Sequence, residues 1–169
     1  MGASQPRLDR AGTLTREITR ALSTVGHTMA AAESLTGGSL CEALSEAPGA
    51  TSTFAGGLIA YSTDLKKRLL GVDEALLDRV GAVHPEVAGQ MAEGIRKLTC
   101  ATYGLATTGV AGPAPQDGQD VGTVFVAVAT PHATTSVQVC PGTEDRDGIR
   151  EAAVVGALQL LRDQLRPSG

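Results

Sequence analysis

Ala31-Ala32-Glu33-Ser34-Leu35-Thr36-Gly37-Gly38-Ser39 follows a β-type apolar run, Thr28-Met29-Ala30-Ala31, and precedes a helix-like run from Leu40 to Leu44. A strand that passes through a hydroxyl-rich Gly-Gly turn into a helix gathers small side chains and free backbone N–H groups at one point. The first N–H groups of a helix have no partner within it, so such a turn suits a polar or anionic ligand. It also presents Ser34 as a nucleophile candidate. The plainer reading is a tight turn with Ser or Thr as the helix N-cap.

Working outward, the N-terminal stretch from Met1 to about residue 12 is small and polar, which predicts disorder. Leu14, Ile18 and Leu22 recur at helical spacing after Thr13, an N-cap candidate, and predict a helix over 13–22. Beyond Pro48-Gly49, the run from Thr53 to Tyr61 reads as a strand interrupted by Gly56-Gly57. Glycine inside a strand marks a bulge or a close approach by a ligand. Short helices follow over 64–69, ending at Gly71, and over 74–80.

A longer helix over 85–98 starts with Pro85 at its first position, with Val87, Met91, Ile95 and Leu98 as its apolar stripe. Strands are expected over 103–107, 121–129 and 133–139, the second being continuous and apolar as for a strand covered on both faces. A final helix over 145–165 should turn Ile149, Ala152, Ala153, Gly156, Leu160 and Leu161 inward. Strands alternating with helices, plus one hairpin, predict a single three-layer α/β/α domain with a mixed sheet.

Composition narrows the function. The chain has 169 residues, 42% of them apolar, with two Phe, two Tyr and no Trp. Its core must therefore be built from Ala, Val, Leu and Ile. A net charge of −4, without a basic stripe or stacking aromatics, argues against direct nucleic-acid binding. No apolar run is long enough to span a bilayer and no leader pattern opens the chain, so a cytoplasmic, membrane-independent protein is expected. Cys41, Cys100 and Cys140 have neither disulfide nor zinc-ligand spacing. They read as buried free thiols, and no metal or other cofactor is expected.

Polar segments end three of the expected strands: Glu33 to Gly38, Tyr61 to Lys66, and Thr108 to Pro113. Ligand sites in open α/β sheets gather at the carboxyl ends of strands, so the three should converge. Lys66 is the strong-base candidate among them. Desolvated, it can lose its proton and take one from Ser34 or Tyr61. Its neighbours Lys67 and Arg68 equally fit a solvated helix face. Arg146 and Arg150 could reach a phosphate or form surface ion pairs. The Gly109-Val110-Ala111-Gly112-Pro113 turn lacks the residues of a nucleotide-triphosphate loop.

Taken together, these segments have one order and spacing. Ala32 to Gly38, Phe54 to Ser62, Lys66, Leu70-Gly71-Val72, Gly81-Ala82-Val83, Thr108 to Pro113, Val121 to Val124 and Asp145-Arg146 resemble the CinA C-terminal domain family. That family includes the stand-alone nicotinamide-nucleotide amidases, and the resemblance covers residues 13–165. It implies an α/β/α domain that hydrolyses the carboxamide of nicotinamide mononucleotide, a pyridine mononucleotide, to nicotinate mononucleotide and ammonia. It also implies a homo-oligomer, a dimer or larger.

By position, the resemblance assigns catalysis to Ser34, Lys66, Tyr61 and Thr51. Substrate binding is assigned to Glu33, Thr36, Gly37, Gly38, Ser52, Thr108, Gly109, Gly112 and Arg146. The attacking hydroxyl stays open between Ser34 and the 51–52 pair. N–H groups near Gly37-Gly38 or Gly109 are expected at the oxyanion or phosphate. The chain departs from the family pattern at Thr51, Thr63 and His84, and in the loop Ala114 to Asp120, which lacks the usual Lys. The altered 49–54 segment and the altered 113–121 loop favour the alternative of a non-catalytic domain that binds a nucleotide or protein partner and is linked to competence or DNA damage. Ser34, Tyr61 and Lys66 disfavour it, because a binding module needs no lysine base.

Overall fold

A computed structural model describes residues 5–166. The element order is α1 (Gln5–Val25), β1 (Met29–Glu33), α2 (Ser39–Glu46), α3 (Ala50–Thr53), β2 (Phe54–Ile59), α4 (Thr63–Leu70), α5 (Glu74–Val80), α6 (Pro85–Thr99), β3 (Tyr103–Gly109), β4 (Val124–Ala129), β5 (Thr134–Val139) and α7 (Arg146–Leu165). The five strands form one sheet in the order β2-β1-β3-β4-β5. β1 pairs parallel with both β2 and β3, and the β3-β4 and β4-β5 pairs are antiparallel. This is the expected mixed sheet in a three-layer domain.

Side-chain alternation on the strands assigns the two faces. Met29, Ala31, Leu105, Val124, Val126 and Val128 pack with Leu14, Ile18 and Leu22 of α1, Leu40 and Leu44 of α2 and Ile149 of α7. Ala30, Ala32, Ala106, Ala127 and Ala129 face Val87, Met91 and Ile95 of α6 and Leu76 of α5. The second face is lined with alanine because α6 lies unusually close. A Cβ on Gly104 would stand 2.0 Å from the Ala92 carbonyl oxygen, and one on Gly94 would stand 2.0 Å from that of Leu70. Small residues on this face explain how a chain so poor in aromatics closes its core.

The Gly56-Gly57 interruption is a bulge. Met29 pairs with Phe54 but Ala30 with Gly56, and Gly56 has a φ of 138°. Gly57 gives room to a helix rather than to a ligand, since a Cβ there would meet Cys41 Sγ at 2.2 Å.

Several expectations are corrected. α1 already runs from Gln5, so Thr13 lies inside the helix; of the stretch expected to be disordered, residues 1–4 lie outside the described residues. Val121 to Thr123 form a turn, and β4 begins at Val124. Leu98 is exposed at the end of α6. α7 buries Ile149, Ala153, Val154, Ala157, Leu158 and Leu161, whereas Ala152, Gly156 and Leu160 sit half-buried beside β5. Cys100 and Cys140 are exposed and Cys41 is intermediate, so the thiols are not the buried set expected.

Gly94→Ala tests the α4–α6 contact. The new methyl meets backbone, which cannot rotate away, so a loss of about 2–3 kcal/mol is expected in urea unfolding. A change below about 0.5 kcal/mol would show that the helices part without cost.

Candidate active site

The parallel strands β1, β2 and β3 end on one edge of the sheet, and three chain segments leave there: the turn 34–38, the 60–62 link into α4, and the β3 exit at Thr107-Thr108. Ser62 caps α4 by accepting from the Leu65 N–H, and Gly71 in the left-handed region closes it. With its ends set this way, α4 turns Lys66 inward while Arg68 pairs with Asp64, and Lys67 with Glu74, on its outer face. The solvated reading of this basic run therefore holds for Lys67 and Arg68 only. Lys66 is 1% exposed.

Its amine meets three oxygens. Lys66 Nζ lies 2.9 Å from the Ala60 carbonyl oxygen, 3.2 Å from that of Tyr61 and 3.0 Å from Ser34 Oγ. A neutral amine has two N–H donors and one lone pair. The two carbonyls can only accept, so they take both donors. The lone pair is then left for the Ser34 hydroxyl, the one group of the three that can donate. Burial lowers the Lys66 pKa from 10.5 to about 8, while the charge of Asp117 acts to raise it. Desolvation dominates because the charged form loses its water.

Ser34 is itself buried, and the hydroxyls behind it are paired. Thr36 Oγ1 and Thr107 Oγ1 are 2.8 Å apart, and the Ser34 N–H points to Thr107 Oγ1 at 3.4 Å. Thr108 donates its hydroxyl to the Ala82 carbonyl at 2.7 Å.

Glu33 is spent internally. Its carboxylate accepts from the N–H groups of Gly38 at 2.9 Å, Leu40 at 3.2 Å and Cys41 at 2.7 Å, and so caps α2, whose N-cap Gly38 has no side chain to do it. A helix N-terminus is a favourable place for this anion. The expected substrate-binding role of Glu33 is thus replaced by a structural one. The same contacts use the Gly38 N–H, and the Gly37 N–H goes to the Ser34 carbonyl, so neither glycine amide is left for an anion. Burial and the Glu33 charge push the Cys41 thiol pKa upward, which keeps it a protonated, inert neighbour.

The other expected residues divide. The Tyr61 side chain is 63% exposed, and only its backbone carbonyl touches Lys66. Thr51 and Ser52 are exposed on α3, which leads into the first residue of β2. Because Phe54 pairs with the start of β1 and Ile59 with its end, they lie a strand length, about 16 Å, from Ser34. This placement separates Thr51 and Ser52 from Lys66, whose amine has Ser34 Oγ as its hydroxyl neighbour. Arg146 donates to the Gly112 carbonyl at 2.6 Å, fixing the β3–β4 loop to the start of α7. Gly109 makes room for backbone, since a Cβ there would stand 2.6 Å from the Thr123 carbonyl oxygen.

Asp117 joins the site although the sequence reading does not single it out, and Arg150, expected at a phosphate or in a surface ion pair, binds the turn after β1 instead. Asp117 accepts from the Ala82 N–H at 2.8 Å and is held in a tight Asp-Gly turn, with both residues at positive φ and Gln116 bridged to Gln119. The Asp117-Gly118 pair is itself a tight-turn signal in the sequence. Arg150 donates to the Leu35 and Thr36 carbonyls, a long-range contact that no local pattern announces.

Residues 11–165 match the family described as CinA C-terminal domain. The chain belongs to the CinA C-terminal domain family. It is 50% identical over 139 residues, 82% of its length, to a CinA-like protein of Frankia casuarinae, and covers 32% of that relative. It is 44% identical to a putative competence-damage inducible protein of Bacillus subtilis over 88% of this chain and 35% of the other. The CinA domain here thus spans about a third of the length of the curated relatives it matches. Among solved structures, a CinA superfamily protein from Enterobacter cloacae superposes with a TM-score of 0.88 at 32% identity, covering 92% of each chain. The competence/damage inducible protein CihA from Agrobacterium tumefaciens gives 0.87 at 32% identity, over 92% of this chain and 95% of that one. None of the helices among the described residues is long and apolar enough to cross a membrane. No cluster of His, Cys, Asp or Glu among them could hold a metal ion.

Two measurements check this CinA site. Glu33→Gln keeps the size but places an amide where N–H donors point, and should cost about 2–4 kcal/mol in urea unfolding. An intact fold with only weakened ligand binding would restore Glu33 to the substrate. For Lys66, the unfolded chain holds the amine proton up to 10.5 and the folded chain only to about 8, so stability should rise with pH across that window. Lys66→Met should lack this rise, measured as the difference between the two proteins at pH 7.5 and 9.5.

Proposed function

We propose that this domain is an amidohydrolase that converts nicotinamide mononucleotide to nicotinate mononucleotide and ammonia. The observation that carries the reading is the Lys66 amine, buried, with its donors on two carbonyls and Ser34 Oγ at 3.0 Å. A serine and a neutral lysine are sufficient for acyl transfer without histidine.

The chemistry follows from the protons available. Ser34 Oγ attacks the carboxamide carbon while its proton passes to Lys66 Nζ. The resulting ammonium lies against the Ala60 and Tyr61 carbonyls, which stabilise it, as does the charge of Asp117. Lys66 then protonates the departing nitrogen, the C–N bond breaks, and ammonia leaves an acyl ester on Ser34. Water attacks that ester, gives its proton to Lys66, and Ser34 recovers a proton as the acid is released. The pKa near 8 suits this alternation, since a base works best when its pKa lies near the working pH. At pH 7 about a tenth of the lysine is neutral on this value.

In this reading the domain acts as a homo-oligomer. The unpaired edge of β5, and the half-exposed apolar groove that Val137 and Val139 form with Val155 and Leu160 of α7, support a contact between copies.

Ammonia release from nicotinamide mononucleotide by the purified chain tests the proposal. Turnover should rise with pH along a limb centred near 8. Ser34→Ala and Lys66→Met should each lower kcat by about a thousandfold or more with the fold retained. No release from a folded wild type that still binds the nucleotide would make this a binding domain.

A further inference from the structure

Counting the donors of the turn after β1 leaves two over. The Ser34 N–H points to Thr107 Oγ1, that of Gly37 to the Ser34 carbonyl at 3.2 Å, and that of Ser39 to the Thr36 carbonyl at 3.1 Å. Those of Gly38, Leu40 and Cys41 go to the Glu33 carboxylate. Among the described residues no acceptor falls to the N–H groups of Leu35 and Thr36, although both residues are buried. Buried backbone donors are almost always paired, so two together beside a hydroxyl nucleophile point to an incoming oxygen.

The far side of the Ser34–Leu35 peptide is held by the Gly37 N–H, and that of the Leu35–Thr36 peptide by Arg150. Arg150 Nε donates to the Leu35 carbonyl at 3.2 Å, and its Nη2 to the Thr36 carbonyl at 2.9 Å and to Ser39 Oγ at 3.3 Å. Its remaining nitrogen lies 3.7 Å from Asp147. In a trans peptide the C=O and N–H point opposite ways. Fixing the Leu35 carbonyl on the guanidinium therefore turns the Thr36 N–H away from α7. Nε and Nη2 are thus engaged inside the fold, while Nη1 is turned toward Asp147.

We propose that the Leu35 and Thr36 N–H groups form the oxyanion hole of the Ser34 centre, with Arg150 as the positioning residue that aims the Thr36 N–H. This rests on Ser34–Lys66 acyl transfer but not on the identity of the amide. When Ser34 Oγ bonds to the acyl carbon, the carbonyl π pair moves onto its oxygen. That oxyanion is met by the two N–H groups until the pair returns and the leaving group departs. The N–H of the residue after a nucleophile serves in the same way on other folds. Lysine cannot replace Arg150, because one ammonium does not span two consecutive carbonyls in fixed directions.

The test uses p-nitrophenyl acetate beside nicotinamide mononucleotide. Acetylation of Ser34 is read from nitrophenolate release and the mass of the Ser34 peptide; the serine proton passes to Lys66. Arg150→Lys should slow acetylation and lower kcat about ten- to a hundredfold with KM within about threefold. Ethylguanidinium at millimolar concentration should restore part of the rate to Arg150→Ala, which a loss of global packing would not allow. Replacing Thr36 by its α-hydroxy acid removes the N–H, leaves Arg150 in place and should cost a similar factor. Acetylation that is unchanged in these variants overturns the proposal. So does a raised KM at unchanged kcat, which would make Arg150 a phosphate ligand, and so does a wild-type Ser34 that is not acetylated. Normal acetylation without nicotinamide mononucleotide turnover would sink the substrate assignment alone.

Discussion

The Glu33 carboxylate is the constraint around which this site is built. It is fully buried at the end of β1 and would be untenable as a free charge there. Three backbone N–H groups at the start of α2 satisfy it, and it satisfies them. The contact closes the chain from strand to helix within a few residues, and Ser34 lies inside that closure. It also decides which donors are available for chemistry, because each N–H bound to Glu33 is withdrawn from any ligand. Reactivity and helix capping thus draw on the same small set of amides, and the geometry divides them.

Lys66 is the second charged group placed where water is absent, and its treatment is the reverse. Glu33 is given three backbone N–H donors. Lys66 is given two carbonyls and a hydroxyl, a set that serves a neutral amine as well as an ammonium. Burial pulls its pKa down and Asp117 holds it partly up, so the proton is easily gained and easily lost. That balance needs α4 to be held at both ends, which Ser62 and Gly71 do. It also needs the β3–β4 loop to keep Asp117 against Ala82.

Close packing makes these distances possible. An alanine-lined sheet face lets α6 approach until glycine is required at position 104, and Gly94 lets α4 close on α6 in turn. Larger side chains there would lift the helix and, with it, α4 and Lys66. The scarcity of aromatics in the composition is therefore part of the same design as the buried amine.

The sequence by itself determined the layers and most of the elements. Periodicity, Pro85 at a helix start, the Gly71 stop and the Gly56-Gly57 bulge are local signals, and local physics decides them. It also placed Ser34 and Lys66 at strand ends, and the family resemblance named them together. Tertiary structure decided the rest, because the deciding contacts join residues far apart in the chain. It placed Thr51 and Ser52 at the opposite end of β2, since strand direction separates what sequence proximity to a motif cannot. It turned Glu33 from ligand to cap, left only the Tyr61 carbonyl at the amine, and brought Arg150 across from α7. Whether a polar group faces a substrate or its own fold depends on which donors and acceptors surround it, and only the assembled layers set that.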